Sequence, residues 1–398
     1  MKEKIIHFLK NTLLANIAIF IILAPFSKKA IKISLLIALF LWIAITIAEF
    51  GSNFYKHLIT RIPIAIPLEL FWIALLLSTV FSLDPYYSHA VLLERYLGYI
   101  LFFLLGCYLA KDIRMIYCLV GATLFGGIVI GIGSLWNYVQ FQPVRLYDCF
   151  RYSISLARFL VLYTPITFIV LFFVKNKFLK FIALVSGLLL VPCLILNAAR
   201  AAWVSVSFSL LIVSFFKSRK LACCVLICII IIGLFLPLQL KCRAITTVNP
   251  LTWGERLPLW KMSLQMFADF PVFGTGLGMR EKLFTSYWHK SALFPRFQYQ
   301  DAHNNYLEIA SESGSIGLIA FIWIFIAFFK HVFAAIKKMS GDRQAVLMTF
   351  TSSVIAALLF ACSASNITGG VEEVVVFWFI FGMASGLSGL RENQETIA

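Results

Sequence analysis

Three basic side chains, two arginines and a histidine, are the groups in this 398-residue sequence best suited to carry chemistry. His303 lies in a polar run, and a histidine side chain can accept or donate a proton near pH 7. Arg256 lies four residues before Trp260, and Arg200 sits among alanines. Arginine binds phosphate through paired hydrogen bonds that lysine cannot form. Two arginines and a histidine, if they meet, predict a diphosphate site with a base beside it.

Each of these residues also has a purely structural interpretation. His303 taken alone is more simply a surface histidine that caps the helix predicted to follow it. Arg200 can extend its head group from an apolar helix to the membrane surface. Arg256 can be a solvated charge at the start of a helix. The catalytic interpretation therefore depends on the three residues lying together.

Four further polar residues are candidate substrate ligands. Asp301 and Asn304 flank the histidine, and Asp301 could orient its imidazole. Arg151 belongs to a basic segment that suits an anionic acceptor, together with Arg145 and Arg158. Glu373 stands at the head of the last apolar run, where it could orient a substrate hydroxyl.

Composition decides the solvent of this chain. Hydrophobic residues make up 61% of it and charged residues only 13%, whereas a soluble domain carries about 25% charged residues. Such a chain cannot cover itself with a polar surface, so its solvent must be lipid. The net charge of +16 comes from Lys and Arg clusters between apolar runs, which is how topology is encoded. We therefore expect contact with membrane lipids and no binding of nucleic acid.

The apolar runs predict an all-α polytopic membrane protein. A bilayer needs roughly 20 apolar residues per helix, which gives about twelve spans on that criterion. The predicted spans lie near 11–26, 31–48, 64–82, 92–110, 114–137, 157–174, 178–195, 199–216, 220–238, 313–332, 344–362 and 373–390. The chain thus divides into nine predicted transmembrane helices in 1–238, a loop in 239–312, and three helices with a tail in 313–398.

The distribution of positive charge predicts the orientation. With the N-terminus inside, 18 of the 34 Lys and Arg residues fall in cytoplasmic segments and eight in the short outer loops. That bias is typical of an inner-membrane protein with both termini cytoplasmic and the long loop periplasmic. Lys28 and Lys29 are the exception, because this count places them outside. Cys149 and Cys242 would both lie outside, where they could pair.

The long loop is the segment in which we expect the chemistry. It begins with an amphipathic helix near Arg256, whose apolar side could lie on the membrane surface. A glycine-rich turn at 273–278 follows, and then aromatic residues over 287–299 that could stack on sugars or enter the outer leaflet. The turn could offer amides to a phosphate, although a simple turn is the better interpretation.

The sequence predicts neither a metal nor a cofactor. It contains no HExxH motif, no DxD motif and no histidine pair at ligand spacing. It also lacks a P-loop. Because there is no ATP outside the inner membrane, a bond-forming reaction there must use an activated substrate such as a polyprenyl diphosphate.

Four segments of the sequence together resemble one superfamily of membrane enzymes. They are 256–260 (RLPLW), 269–278 (DFPVFGTGLG), 303–308 (HNNYLE) and 314–318 (GSIGL). The chain resembles the superfamily of O-antigen ligases, O-antigen polymerases and bacterial protein O-oligosaccharyltransferases. Within it, the chain is most similar to the lipopolysaccharide O-antigen ligases of enteric bacteria.

The resemblance implies an inverting, metal-independent glycosyltransferase with Arg200, Arg256 and His303 as its functional residues. The implied donor is undecaprenyl-diphosphate-linked O-antigen, and the implied acceptor is a sugar of the lipid A core. The chain departs from the family pattern at Asp301, where members often carry a second histidine, and at Ala199, where they often carry serine.

Alternatives remain open at this point. An O-antigen polymerase shares the loop pattern but uses a second lipid-linked glycan as acceptor, and a protein O-oligosaccharyltransferase uses a protein. A transporter or flippase would require polar residues at the middle of its spans, where this sequence has few. No internal repeat supports transport either.

Overall fold

The computed structural model describes residues 2–24, 28–50, 62–141, 153–235, 238–245, 256–291, 301–364, 366–368 and 372–389. Within these ranges every regular element is a helix. The helices are α1 (Lys2–Leu23), α2 (Lys28–Phe50), α3 (Ala65–Val80), α4 (Pro85–Leu109), α5 (Ile113–Phe141), α6 (Ser153–Phe173), α7 (Lys177–Leu196), α8 (Arg200–Lys217), α9 (Arg219–Phe235), α10 (Leu238–Ile245), α11 (Arg256–Asp269), α12 (Met279–Ser291), α13 (Asn305–Lys338), α14 (Gly341–Phe360) and α15 (Glu372–Ser388).

The protein is an all-α polytopic membrane protein, as its composition predicts. Each predicted apolar run coincides with a helix, and eight helices of the described part are long and apolar enough to cross a membrane. Large apolar side chains point outwards from them. On α7, for example, Leu188 is 67% exposed and Phe181 65% exposed, which would be costly in water but is favourable in lipid.

Glycines allow the last helix to pack tightly along α4. A Cβ at Gly382 would lie 2.1 Å from the carbonyl oxygen of Phe103, and one at Gly106 would lie 2.4 Å from that of Phe379. Small residues bring membrane helices into such backbone contact, where dispersion and weak polar contacts hold them. Tyr99 of α4 stacks on Trp378 beside this seam, with ring centroids 5.8 Å apart.

Helix α4 contains a π-helical turn over Leu92–Tyr96. Such turns insert one extra residue and are frequent at functional sites. The turn carries Arg95, whose charge interacts with those of Glu308 and Glu312 on α13. The irregular turn therefore faces the segment of α13 that follows His303.

Helix α13 is broken at Gly314, where φ is 66° and ψ is −165°. The break lies two residues from the predicted boundary between the loop and the tenth span. The glycine turn of the loop fills the break, because the amides of Ser315 and Ile316 donate to the carbonyls of Pro271 and Val272 at 2.8 and 3.4 Å. The loop thus packs against the kink of α13, the helix through which the chain returns to the bundle.

The loop has a small hydrophobic core of its own, formed mainly between α11 and α12. Its residues are Leu259, Met262, Met266, Phe284, Tyr287 and Trp288. The predicted amphipathic helix is therefore present, but its buried side faces protein rather than the membrane surface. Tyr287 and Trp288 are likewise only 7% and 5% exposed, so the prediction that they contact sugars or lipid is not supported. Phe294, Phe297 and Tyr299 lie outside the described residues.

We expect Gly274→Ala to destabilise the protein. Gly274 has φ +74°, and a Cβ there would lie 2.3 Å from the backbone of Glu312. The strained backbone and the overlap should together cost at least about 2 kcal/mol. Thermal unfolding in detergent measures the effect as a lower Tm.

Gly98→Ala is the matched control, because Gly98 is helical and has open space around its Cβ position. This variant should unfold at or slightly above the wild-type temperature. Equal Tm values for both variants would show that the loop does not depend on this contact.

Candidate active site

The three predicted residues all lie at the N-terminal ends of helices. Arg200 is the first residue of α8, and Arg256 is the first residue of α11. His303 immediately precedes Asn304, the N-cap of α13. The N-terminus of a helix carries a positive partial charge and unpaired amides that favour anions. The backbone amides at these three positions therefore favour an anion, as the basic side chains do.

The folded chain brings the three residues into one electrostatic cluster. Arg256 experiences the charge of Arg200, and His303 experiences the charge of Arg256. Arg200 belongs to a bundle helix and Arg256 to a loop helix, so the cluster lies where the loop meets the bundle, and all three side chains are half-buried. Such a concentration of positive charge in a partly enclosed position suits a multiply charged anion.

Two further arginines belong to this cluster. Arg158 of α6 and Arg280 of α12 both act on the charge of His303, and both are buried, at 8% and 0% exposure. The sequence indicates Arg158 only as part of a basic segment and does not distinguish Arg280 at all. Arg158 could be found from its position inside an apolar run, where a charged residue is costly unless it has a role.

The environment lowers the pKa of His303. Burial contributes most because it disfavours the imidazolium, and the charges of Arg256, Arg158 and Arg280 act in the same direction. Asp301 opposes them by raising the pKa. With a pKa below its usual value of about 6.5, the imidazole is neutral at pH 7. A neutral histidine among cations is able to accept a proton.

Arg256 keeps its charge in the same environment. Burial and the neighbouring charge of Arg200 both lower the pKa of Arg256. Arginine nevertheless remains protonated in proteins, because its pKa starts far above neutrality. The two guanidinium groups therefore repel each other in the free protein, and an anion between them would relieve that repulsion.

The backbone is strained next to two of the three residues. Among the described non-glycine residues, positive φ values occur at His303, with φ 48°, and at Ala198, with φ 55°. A non-glycine residue in this region costs of order 1 kcal/mol or more and persists only where the surroundings impose it. Ala198 lies two residues before Arg200. The chain thus accepts strain at the points that aim the histidine and one arginine.

Hydrogen bonds on either side of His303 hold this conformation. The indole Nε1 of Trp260 donates to the carbonyl oxygen of Ala302 at 3.1 Å. Because Trp260 lies one turn after Arg256 on α11, this bond couples the histidine segment to the helix that carries the arginine. On the other side, Asn304 Oδ1 accepts from the amides of Tyr306 and Leu307 at 3.0 and 3.1 Å.

Asn305 anchors the start of α13 to the bundle, and the sequence does not indicate this role. It is fully buried. Its Oδ1 accepts from the amides of Asn366 and Ile367 at 2.8 and 3.0 Å, and its Nδ2 donates to Thr368 Oγ1. The segment 366–368 lies between α14 and α15, so Asn305 fixes the histidine segment relative to these two helices. The only sequence signal is its place beside the capping Asn304.

The remaining predicted ligands are placed as follows. Asp301 is half-buried and acts on His303 through its charge. Asn304 is the helix cap described above, and its role toward a substrate stays a prediction. Glu373 lies in the first turn of α15, and Arg151 and Cys149 fall outside the described residues. Cys242 is an exposed free cysteine in the structure, so the predicted possibility that it pairs with Cys149 is not borne out.

The glycine turn is used for packing rather than for binding a phosphate. The amides of Thr275 and Gly276 donate to the carbonyls of Ser311 and Glu312, both at 3.0 Å, and the Gly274 amide donates to Phe270 at 3.1 Å. These donors are occupied by the chain itself. Nor do the described residues include a group of three or more His, Cys, Asp or Glu side chains that could hold a metal ion.

Residues 185–322 match the family model described as O-antigen ligase. This segment is therefore similar to the O-antigen ligase family. The matched segment is about a third of the chain. It runs from within α7 through the loop to the first part of α13, and so contains Arg200, Arg256 and His303. Members of that family are glycosyltransferase-like enzymes. None of the curated protein sequences compared with the chain matched it.

We expect Asn304→Ala to lower stability and Asn304→Ser to retain it. Serine can accept the same amide hydrogen bonds as a helix cap, whereas alanine cannot, which costs about 1 kcal/mol. Thermal unfolding compares the two variants with the wild type, and a glycosyl transfer assay compares their activities. Wild-type stability with strongly reduced activity in Asn304→Ser would instead indicate that the amide contacts the substrate.

Proposed function

We propose that this protein transfers O-antigen from undecaprenyl diphosphate to a sugar of the lipid A core, as an O-antigen ligase does. The observation that carries the proposal is the convergence of Arg200, Arg256 and His303, at three helix N-termini, within the family domain. This cluster combines the charge that a diphosphate needs with a base that is neutral at pH 7. Both requirements of transfer from a lipid diphosphate are therefore supported.

In the proposed reaction, Arg200 and Arg256 bind the diphosphate of the donor. As the bond between the anomeric carbon and the phosphate oxygen breaks, negative charge grows on the departing diphosphate. Positioned cations stabilise such charge more strongly in a partly enclosed site than in water. Undecaprenyl diphosphate is the leaving group, and its charge is held by the two guanidinium groups.

His303 acts as the general base. Its neutral imidazole accepts the proton of the acceptor hydroxyl while the hydroxyl oxygen attacks the anomeric carbon from the face opposite the diphosphate. The new glycosidic bond then has inverted configuration. Asp301 stabilises the imidazolium that forms, because its negative charge favours the protonated ring. Asn304, Arg151 and Glu373 are proposed contacts to the substrates.

Both proposed substrates are lipids, which agrees with the position of the site. The cluster lies where the loop meets helices that cross the membrane, so each substrate could reach it from the bilayer. We assign the site to the periplasmic face of the inner membrane of a Gram-negative bacterium. The activated donor supplies the energy, and the scheme uses neither a metal nor another cofactor.

A deletion strain tests the function directly. Loss of a ligase removes all O-antigen from the lipid A core, whereas loss of a polymerase leaves one repeat attached. Loss of a protein O-oligosaccharyltransferase leaves lipopolysaccharide intact and strips glycan from proteins. Blots of lipopolysaccharide and of glycoproteins therefore separate the three activities, and we expect the first pattern. An unchanged lipopolysaccharide would refute the proposal.

We expect His303→Ala to abolish ligation when it is the only copy in the deletion strain. Loss of a general base lowers the rate by about 100-fold or more, so the O-antigen ladder should disappear at normal protein levels. His89→Ala is the control, because His89 is exposed on α4 and should leave the ladder unchanged. A full ladder in the His303 variant contradicts its role as base.

We expect Arg256→Lys to lose most of the activity although the charge is retained. Lysine cannot provide the paired, planar hydrogen bonds of a guanidinium, so the rate should fall at least about tenfold. Arg219→Lys serves as control, because Arg219 is exposed at the start of α9. Equal transfer rates for both variants would indicate that Arg256 is a solvated surface residue.

A further inference from the structure

Arg280 is a charged side chain buried completely within the loop. Its exposure is 0%, and it is the second-largest of the fully buried side chains in the described part of the chain. Removing a guanidinium from water costs several kcal/mol, which hydrogen bonds and opposite charges must offset. A leucine or methionine would fill the same core without this cost. Burial of an arginine here therefore calls for a role that an apolar residue could not have.

The guanidinium binds the helix that carries Arg256. Arg280 Nε donates to Ser263 Oγ at 3.3 Å, and its terminal nitrogen donates to the carbonyl oxygen of Leu259 at 3.5 Å. Leu259 lies one helical turn after Arg256 and immediately before Trp260. Arg280 therefore holds the turn of α11 from which Arg256 extends and from which Trp260 reaches the segment of His303.

The same guanidinium is linked to the helix bundle through Glu312. Glu312 is 4% exposed, and its charge interacts with those of Arg280 and Arg95. Its carbonyl oxygen accepts from Ser78 Oγ of α3 at 2.8 Å and from the Gly276 amide at 3.0 Å. Arg280 thus bonds to α11 and interacts through its charge with a buried residue whose backbone is fixed to the bundle.

The charge of Arg280 also reaches His303. The groups that act on the imidazole come from each surrounding element: Arg256 from α11, Arg158 from α6, Arg280 from α12, and Asp301 from the same segment. Burial is the largest influence on the pKa of His303, and the three arginines add to it. Arg280 differs from Arg256 in being enclosed by protein, so a substrate does not neutralise it directly.

We propose that Arg280 is a positioning residue of the active site, whose guanidinium aligns Arg256 with His303 and adds a fixed positive charge to the cluster around the histidine. The alignment of Arg256 with His303 matters for catalysis only if the proposed function is correct. The effect of the Arg280 charge on His303 is a property of the protein without substrate. Arg280 thereby belongs to the site although it need not touch either substrate.

The test compares Arg280→Met with Arg280→Lys in purified protein, using lipid-linked O-antigen as donor and lipid A core as acceptor. Loss of alignment should lower kcat in both variants by about 10- to 100-fold, with little change in KM. Removal of the charge should raise the pKa of His303, so the acid limb of the pH–kcat profile should move to higher pH in Arg280→Met. It should stay near its wild-type position in Arg280→Lys.

A titration of the histidine ring signals by NMR gives the same pKa without substrate. The signal of His303 among the six histidines is identified by its absence in His303→Ala. Lys261→Met is the matched control, because it removes one positive charge from an exposed position of α11. It should change neither the titration nor kcat.

Each result decides the proposal. An unchanged His303 titration in folded Arg280→Met would overturn the electrostatic role, and wild-type kcat in Arg280→Lys would overturn the alignment role. A lower Tm together with an unchanged titration of His303 would mean that Arg280 has a structural role only.

Ser263→Ala is the second variant, for the case that Arg280→Met fails to accumulate. It removes one hydrogen bond to Arg280 and keeps the charge, so kcat should fall several-fold while the titration of His303 stays unchanged. A wild-type kcat in Ser263→Ala would overturn the alignment role. Absence of transfer by the wild type would refute the proposed function alone, since the titration needs no transfer.

Discussion

The loop is held on the helix bundle by backbone contacts that leave no room for a side chain. Gly274 lies directly against the backbone of Glu312, and Gly314 lies directly against that of Val272. At this short distance the backbone amides and carbonyls of the two segments form hydrogen bonds with each other. The kink of α13 and the turn of the loop therefore form one unit. The positions of α11, α12 and the histidine segment all depend on it.

The contact between loop and bundle places several positive charges close together in a half-buried site, where their mutual repulsion is costly. Arg200, Arg256, Arg158 and Arg280 act on one another or on His303, and the carboxylates of Asp301 and Glu312 oppose only part of this charge. Like charges in a half-buried site destabilise the free protein. The same arrangement favours an anion that enters, because the repulsion between cations is then replaced by attraction. Positive φ values at His303 and Ala198 show that the backbone, too, is held in an unfavourable state at this place.

The apolar helices could be predicted from the sequence alone, because a bilayer imposes a simple requirement of length and composition on each of them. The glycine turn could be predicted as a turn, but its partner could not. Nothing in the residues around Gly274 indicates that its space is taken by Glu312, which is far along the chain. For the same reason the amphipathic pattern of α11 was consistent with a membrane surface, while the structure turns its apolar side to α12 and forms a separate core.

The sequence by itself determined the solvent of the chain, the positions of its helices, and the three residue types around which a site could form. These residues were candidates because arginine binds phosphate, because histidine accepts protons near pH 7, and because they match the family pattern. Only the tertiary structure decided that Arg200, Arg256 and His303 meet, and that Arg158 and Arg280 join them. Burial and charge interactions depend on distances between segments that are remote in the chain. Arg280 shows this best: it has no distinguishing neighbours in the sequence, and the folded loop buries it completely against α11.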